Sequence, residues 1–214
     1  MNSVRKAQPT KRHRKNNSLA TFVAVLLIIV ILGGVAYFWF PSNNKMAVNE
    51  PEGYKTLTAH YLDVMKNLNS SQTKTEMASQ LDPKYNQTDL FAWEGSKMAF
   101  RNPASWSEDP IQILNSGNGI CVQWSIVYVS ACLALGYQSR LVVAVDTSSW
   151  SYIHVWAEDY YKGSWVHVDP SDKVWNNPSR YQSWDWGKYI GGEVKIYAFE
   201  DNKFEEVTST YSAQ

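Results

Sequence analysis

The chain has 214 residues, of which 44% are hydrophobic and 14% aromatic, so it can bury one sizeable core and is not typical of a disordered protein. Its formal net charge is zero, but residues 1–44 carry six Lys or Arg and no acid, which leaves a net charge of −6 on residues 45–214. This distribution does not indicate a basic nucleic-acid-binding surface on the larger part of the chain, and we expect no nucleic-acid partner.

Residues 19–40 form an uncharged, mostly apolar run. A helix of this length spans about 33 Å, which is enough to cross a bilayer. The six basic residues precede the run and only Lys45 follows it closely, so the positive-inside rule places the N-terminus in the cytoplasm. A cleaved signal peptide with a site at Gly34-Val35-Ala36 is the alternative, but the aromatic end of the run, residues 37–40, favours an anchor.

The predicted organisation therefore has four parts: a cytoplasmic tail (1–18), a transmembrane helix (19–40), a tether (41–53) and an extracytoplasmic domain (54–214). Within the domain, apolar residues recur at helical spacing over 54–69, which predicts a first amphipathic helix. Residues 89–100 are a weaker helix candidate.

A turn rich in Gly and Asn, "NSGNG", precedes Cys121. Residues 121–135 are apolar nearly all round and end at Gly136, which predicts a buried helix with a glycine C-terminal cap. We expect Asn118 or Ser116 to cap its start. Cys121 would then lie in the first turn, where free N–H groups and the positive end of the helix dipole favour a thiolate.

Two other interpretations apply to Cys121: a small buried hydrophobe, or one half of a disulfide. The second cysteine, Cys132, lies eleven residues further along the same predicted helix. This corresponds to about 16 Å, which is beyond the reach of a disulfide. We expect Cys132 to lie in the core.

Apolar and polar residues alternate over 152–160 and 164–169, which predicts two strands of a hairpin. On the first strand Tyr152 and His154 are expected to share a face. A hairpin that folds about the Tyr161–Lys162 bond places His154 opposite Asp169.

Two histidines are candidates for the base that a nucleophilic thiol needs, His154 and His167. In the predicted register Asp169 orients the His154 imidazole, and the other ring nitrogen takes the thiol proton. His167 would lie opposite Trp156 and would lack a carboxylate partner, which favours His154.

These segments together resemble the transglutaminase-like superfamily, which includes transglutaminases, peptide N-glycanases and related microbial proteases. The resemblance covers about 107–172 and depends on Gly-x-Cys at the start of a helix, His154-x-Trp156-x-Glu158, and Asp169-Pro170. It implies that Cys121 is the nucleophile, His154 the general base and Asp169 the orienting carboxylate. The paired CxxC zinc site of the glycanases is missing, because the cysteines are Cys121 and Cys132, so we expect neither metal nor other cofactor.

The predicted fold is α+β, a papain-like transglutaminase core preceded by one transmembrane helix. Its central Cys-bearing helix packs on an antiparallel sheet with strands near 139–145, 152–160, 164–169, 193–199 and 203–208. The predicted function is membrane-anchored, thiol-dependent acyl transfer or hydrolysis at an amide bond of a protein, peptide or cell-envelope substrate, in the manner of a transglutaminase or a cysteine peptidase. The alternative is a catalytically idle domain of the same fold that binds envelope components or partner proteins.

Overall fold

The computed structural model describes residues 51–181 and 192–211, which belong to a unit that begins at Glu50. The predicted tail, the predicted transmembrane helix and residues 41–50 of the tether lie outside these ranges. Among the helices in the described ranges, none has the length and apolar character needed to cross a bilayer. The first helix begins at Glu52, so the last residues of the predicted tether are part of the folded unit.

The first half of the folded unit is helical. Its apolar spacing produces the predicted first helix, and a capping box at Asn86 starts the third. The helices are α1 (Glu52–Leu68), α2 (Ser71–Ala78), α3 (Gln87–Lys97), α4 (Pro110–Ser116) and α5 (Cys121–Ala134). A short parallel pair, β1 (Ala99–Phe100) and β2 (Asn118–Gly119), joins the chain after α3 to the start of α5.

The second half forms an antiparallel sheet in the order β6-β5-β4-β3-β7-β8. The five predicted strands are confirmed, with ends that shift by two residues at most. The strands are β3 (Ser139–Asp146), β4 (Ser151–Tyr161), β5 (Ser164–Asp169), β6 (Val174–Trp175), β7 (Val194–Phe199) and β8 (Phe204–Glu206). A 3-10 helix (Pro178–Arg180) and α6 (Thr208–Tyr211) complete the described elements.

The sheet is buried on both faces. Helix α5 packs on the inner face, where Val143, Val155 and Val168 belong to the main core. The outer face carries a smaller cluster, in which Tyr181 and Tyr211 pack on the sheet residues. We call this the outer cluster; its buried members are Val142, Ala144, Trp156, Tyr181, Ile196, Ala198 and Tyr211.

The register of the β4–β5 hairpin differs from the predicted one. Lys162 and Gly163 alone form the loop, both with positive φ of 51° and 93°, as a type I′ turn requires. This tight turn pairs Tyr161 with Ser164 and Glu158 with His167. The shift amounts to two residues, and because side chains alternate with period two, His154 and Asp169 stay on the same face.

A β-bulge interrupts β4 just before His154. His154 pairs with Ala144, whereas Tyr152 pairs with Val145, so Ile153 is an extra residue. The bulge separates the faces of Tyr152 and His154: Tyr152 lies opposite an inner-face residue and His154 opposite an outer-cluster residue. The expectation that these two side chains share a face is therefore wrong.

Candidate active site

The turn before Cys121 brings the chain into a very close approach to α5. A Cβ atom on Gly119 would lie 2.4 Å from the Cβ of Gln123, which only glycine avoids. The backbone N–H of Ile120 donates to Oε1 of Gln123 at 3.1 Å and closes the start of the helix. Neither Asn118 nor Ser116 caps α5 as predicted, because Ile120 occupies the N-cap position. Cys121 is the first residue of the helix.

A serine one turn into the helix ties α5 to the neighbouring strand. The Ser125 hydroxyl hydrogen-bonds the backbone oxygens of Cys121 and Val155 at 2.8 and 3.0 Å. Val155 follows His154 on β4, so this fully buried contact fixes the start of α5 against the strand that carries the histidine.

Cys121, His154 and Asp169 form a chain of contacts at this point. Nε2 of His154 lies 2.6 Å from Oδ2 of Asp169, and the Cys121 side chain hydrogen-bonds with His154. Because Nε2 faces the carboxylate, Nδ1 is the ring nitrogen left for the thiol. Cys121 and His154 are each 8% exposed, whereas Asp169 is fully buried, so substrate can approach only the thiol end of the chain.

Both oxygens of the Asp169 carboxylate are hydrogen-bonded. Oδ2 accepts from His154 and from the Tyr181 hydroxyl, the latter at 2.5 Å. Oδ1 accepts from the Ser171 hydroxyl at 2.7 Å and from the Asp172 N–H at 3.0 Å. Burial alone would raise the pKa of Asp169, but these donors, with His154 foremost, lower it to about 2. Asp169 is therefore a fixed negative charge.

His154 carries the charge opposite to that of Asp169. Burial alone would lower its pKa, but the hydrogen bonds with Asp169 and then Cys121 outweigh that effect and raise it to about 9. The imidazole is thus protonated at neutral pH and is stacked at 26° on Trp156, with ring centroids 5.7 Å apart. An imidazolium beside a thiol favours the reactive thiolate form of cysteine.

The other candidate base, His167, has a different environment. Both of its ring nitrogens are buried without a hydrogen-bond partner among the residues that the structure describes. Burial lowers its pKa to about 4, so it stays neutral at physiological pH. Its strand neighbour Glu158 is instead engaged by Arg140, at 2.6 Å, and by the Tyr211 hydroxyl.

A cavity of about 640 Å³ lies between the first half of α1 and the loops before α4 and β4. Its wall holds Trp106 and Tyr152, 53% and 38% exposed, two of the few large apolar side chains that reach solvent in the described ranges. Burial and then Cys121 raise the pKa of Tyr152, so this wall of the cavity is within electrostatic range of the thiol. Nε2 of His60 lies 3.1 Å from Oε1 of Glu108 in the same wall.

Sequence reasoning missed several of these residues. Tyr181 follows Asp169 by twelve residues in a segment without periodicity, and nothing in its local sequence points to the site. The alternating pattern places Tyr152 on the face of His154, because the bulge at Ile153 that separates the two residues leaves no mark in that pattern. No cluster of His, Cys, Asp and Glu with the geometry of a metal site occurs within residues 51–181 and 192–211.

The chain is similar to proteins of known name over this region. The family model of the transglutaminase-like superfamily matches residues 70–170. Two relatives bear the name peptide-N(4)-(N-acetyl-beta-glucosaminyl)asparagine amidase. The protein from Oryza sativa subsp. japonica is 30% identical over 90 residues, 41% of this chain and 19% of its own length. The protein from Gallus gallus is 29% identical over 121 residues, 56% of this chain and 17% of its own length.

The similarity thus spans less than a fifth of either relative. A solved structure of a candidate cysteine protease from Cytophaga hutchinsonii is 16% identical, covers 60% of this chain and 45% of that one, and has a TM-score of 0.41. The matched segment contains Cys121, His154 and Asp169 together with the strands and helix that hold them. Residues 70–170 of this chain are therefore a domain of the transglutaminase-like superfamily.

Proposed function

We propose that this protein is a cysteine enzyme that attacks an amide bond in a protein, peptide or cell-envelope substrate. The observation that carries the proposal is the continuous contact from the Cys121 thiol through His154 to the buried Asp169 carboxylate. A thiol, an imidazole and an orienting carboxylate are the parts that nucleophilic acyl transfer needs.

In the proposed mechanism His154 holds the thiol proton, and Cys121 Sγ attacks the amide carbonyl carbon. The C–N bond breaks as His154 returns that proton to the leaving nitrogen, which leaves a thioester on Cys121. Water or an amine then attacks the thioester, gives up a proton through His154 and releases the acid or the new amide. Asp169 stays ionised and stabilises the imidazolium.

The start of α5 also serves the proposed reaction. The Cys121 N–H lies in the first turn, where backbone N–H groups have no carbonyl partner within the helix. The positive end of the helix dipole is also at this end. We propose this N–H as one donor to the oxyanion of the tetrahedral intermediate. The cavity with Trp106 and Tyr152 in its wall is the proposed route by which substrate reaches the thiol.

The reaction is tested by incubating the full chain with peptides that contain glutamine or asparagine, with and without a primary amine. Ammonia release with amine incorporation identifies a transferase, ammonia release alone an amidohydrolase, and new peptide N-termini a protease. Cys132→Ala is the matched control for Cys121→Ala. Substrate binding without turnover by the wild type would instead favour the idle binding domain.

We also propose that residues 19–40 anchor the protein in a membrane with the domain outside the cytoplasm. The proposal is supported by the 22 uncharged residues and the basic tail that precedes them. Protease added to intact cells should remove the domain beyond Lys45 and spare the tail. Release of the domain into the medium without protease would overturn the anchor and favour a cleaved signal peptide.

A further inference from the structure

We infer that Tyr181 is a positioning residue of this site: its hydroxyl fixes the Asp169 carboxylate and limits how strongly that carboxylate holds the His154 proton. The inference rests on the proposed function, since it assigns Tyr181 a part in the same reaction. The hydroxyl of Tyr181 contacts Asp169, and it acts on the reaction through that carboxylate.

Tyr181 and His154 share one acceptor atom. The Tyr181 hydroxyl lies 2.5 Å from Oδ2 of Asp169, and Nε2 of His154 lies 2.6 Å from the same oxygen. Burial and the neighbouring Asp169 raise the pKa of Tyr181 well above its ordinary value. The hydroxyl therefore keeps its proton and donates it to Asp169 across the whole working pH range.

The segment between Asp169 and Tyr181 is held in place by contacts of its own. After Asp169 the backbone passes through β6 and the 3-10 helix, where Arg180 pairs with Asp172 at 2.8 Å. The Tyr181 ring then packs on Trp156 with centroids 4.5 Å apart and is fully buried. The hydroxyl is therefore held at Asp169 by packing and does not depend on the one hydrogen bond.

Sharing Oδ2 between two donors has a chemical consequence. Each hydrogen bond withdraws charge from the oxygen, so the Tyr181 hydroxyl weakens the hold of Asp169 on the imidazolium. Without it, Asp169 would stabilise the imidazolium more, and His154 would give up its proton to a leaving amine less readily. The carboxylate would also lose one of the contacts that fix its orientation toward His154.

The test compares Tyr181→Phe with Tyr211→Phe in the full chain. Tyr211 is a matched control, because it is also buried in the outer cluster and its hydroxyl donates to a carboxylate, Glu158, outside the Cys-His-Asp set. Two readouts are used: the His154 pKa from NMR of histidine-labelled protein, assigned with His154→Ala, and the kcat and KM of amide turnover. Melting temperatures measure the structural cost of each substitution.

In Tyr181→Phe we expect the His154 pKa to rise by about half a unit, and kcat to fall about tenfold with little change in KM. Tyr211→Phe should move neither value, although both variants should melt at lower temperature. An unchanged His154 pKa in Tyr181→Phe, or equal shifts in both variants, would overturn the inference. The NMR measurement tests the inference even if no turnover is found. An absence of turnover would count against the proposed function instead.

Discussion

Helix α5 carries a cysteine near each end, and the two thiols occupy very different polar clusters. Cys121, at the N-terminal end, contacts His154, which pairs with Asp169. Cys132, near the C-terminal end and fully buried, donates to Oδ2 of Asp159 at 3.9 Å. Both clusters therefore combine a cysteine with a carboxylate, and the imidazole distinguishes them.

The carboxylates differ accordingly. The pKa of Asp169 falls to about 2 because its donors outweigh burial, whereas burial raises the pKa of Asp159 to about 6 despite its bond from Tyr128. Burial, and then Asp159, also raise the pKa of Cys132 well above its ordinary value. Burial thus keeps a thiol beside a carboxylate protonated and unreactive. A reactive thiol needs an imidazole between the thiol and the carboxylate, and access of solvent to the sulfur.

The largest predicted contrast is between the two cysteines as catalysts. Cys121→Ala should lower amide turnover by at least about 10³-fold, because it removes the only thiol that contacts an imidazole among the described residues. Cys132→Ala should leave turnover within about threefold and cost about 1–2 kcal/mol of stability through a small cavity. Turnover is measured on a peptide substrate, and comparable losses in both variants would break the comparison.

A second contrast separates the two histidines. His154→Ala should abolish turnover, because no other base contacts Cys121 in the described part of the chain. His167→Ala should retain most of the activity and reveal itself mainly as a lower melting temperature. Steady-state kinetics of both variants decide the point: an inactive His167→Ala with a normal melting curve would reassign the base.

The loss of the Asp169 carboxylate should lower turnover less than the loss of Cys121 or His154. Asp169→Asn keeps the size of the side chain but cannot stabilise the imidazolium as a carboxylate does. The equivalent change in a serine protease triad costs about 10⁴ in turnover. Here the expected loss is about tenfold to a hundredfold, since the imidazolium already forms before substrate arrives. A variant with wild-type kcat would show that Asp169 is a structural partner alone.

The last predicted effect concerns the free energy of unfolding and a buried glutamate on α3, Glu94. Glu94 is fully buried, and neither carboxyl oxygen has a partner in the described ranges; burial and then Asp169 raise its pKa well above the usual value. The folded state keeps this proton while the unfolded state loses it above pH 4.5, so stability falls as pH rises, by up to about 1.4 kcal/mol per pH unit.

Urea unfolding at pH 5, 6.5 and 8 checks this expectation. Glu94→Gln should flatten the decline of stability with pH, because the amide does not titrate. Asp89→Asn, an exposed carboxylate on the same helix, is the control and should leave the slope unchanged. Equal slopes in wild type and Glu94→Gln would show that the Glu94 proton does not contribute.

Much of this architecture follows from sequence because it depends on periodic patterns. The all-apolar run from Cys121 and the alternation in β4 and β5 determine one buried helix and two strands. The alternation places His154 and Asp169 on one face in both the predicted and the observed hairpin register. Their contact is therefore expected even though the turn was predicted wrongly. The contact between His154 and Asp169 therefore depends only on the parity of each strand.

The remaining details depend on geometry that leaves no periodic signal. Lys162 adopts positive φ at the first loop position, where Asn or Asp is the usual sign of a type I′ turn, so the tight hairpin was not predicted. Ile153 is a bulge residue inside an unbroken alternation. Tyr181 reaches Asp169 through a loop whose path is set by tertiary packing, as with Arg180 and Asp172.

The central claim, that Cys121 is the activated nucleophile and Cys132 an inert core residue, is tested most directly by brief alkylation of the native protein with iodoacetamide near pH 7. Peptide mass spectrometry follows the labelling of each cysteine with time. We expect rapid modification of Cys121, slowed strongly in His154→Ala, with Cys132 unlabelled until the protein is unfolded. Equal labelling of the two cysteines, or labelling of Cys132 first, would contradict it.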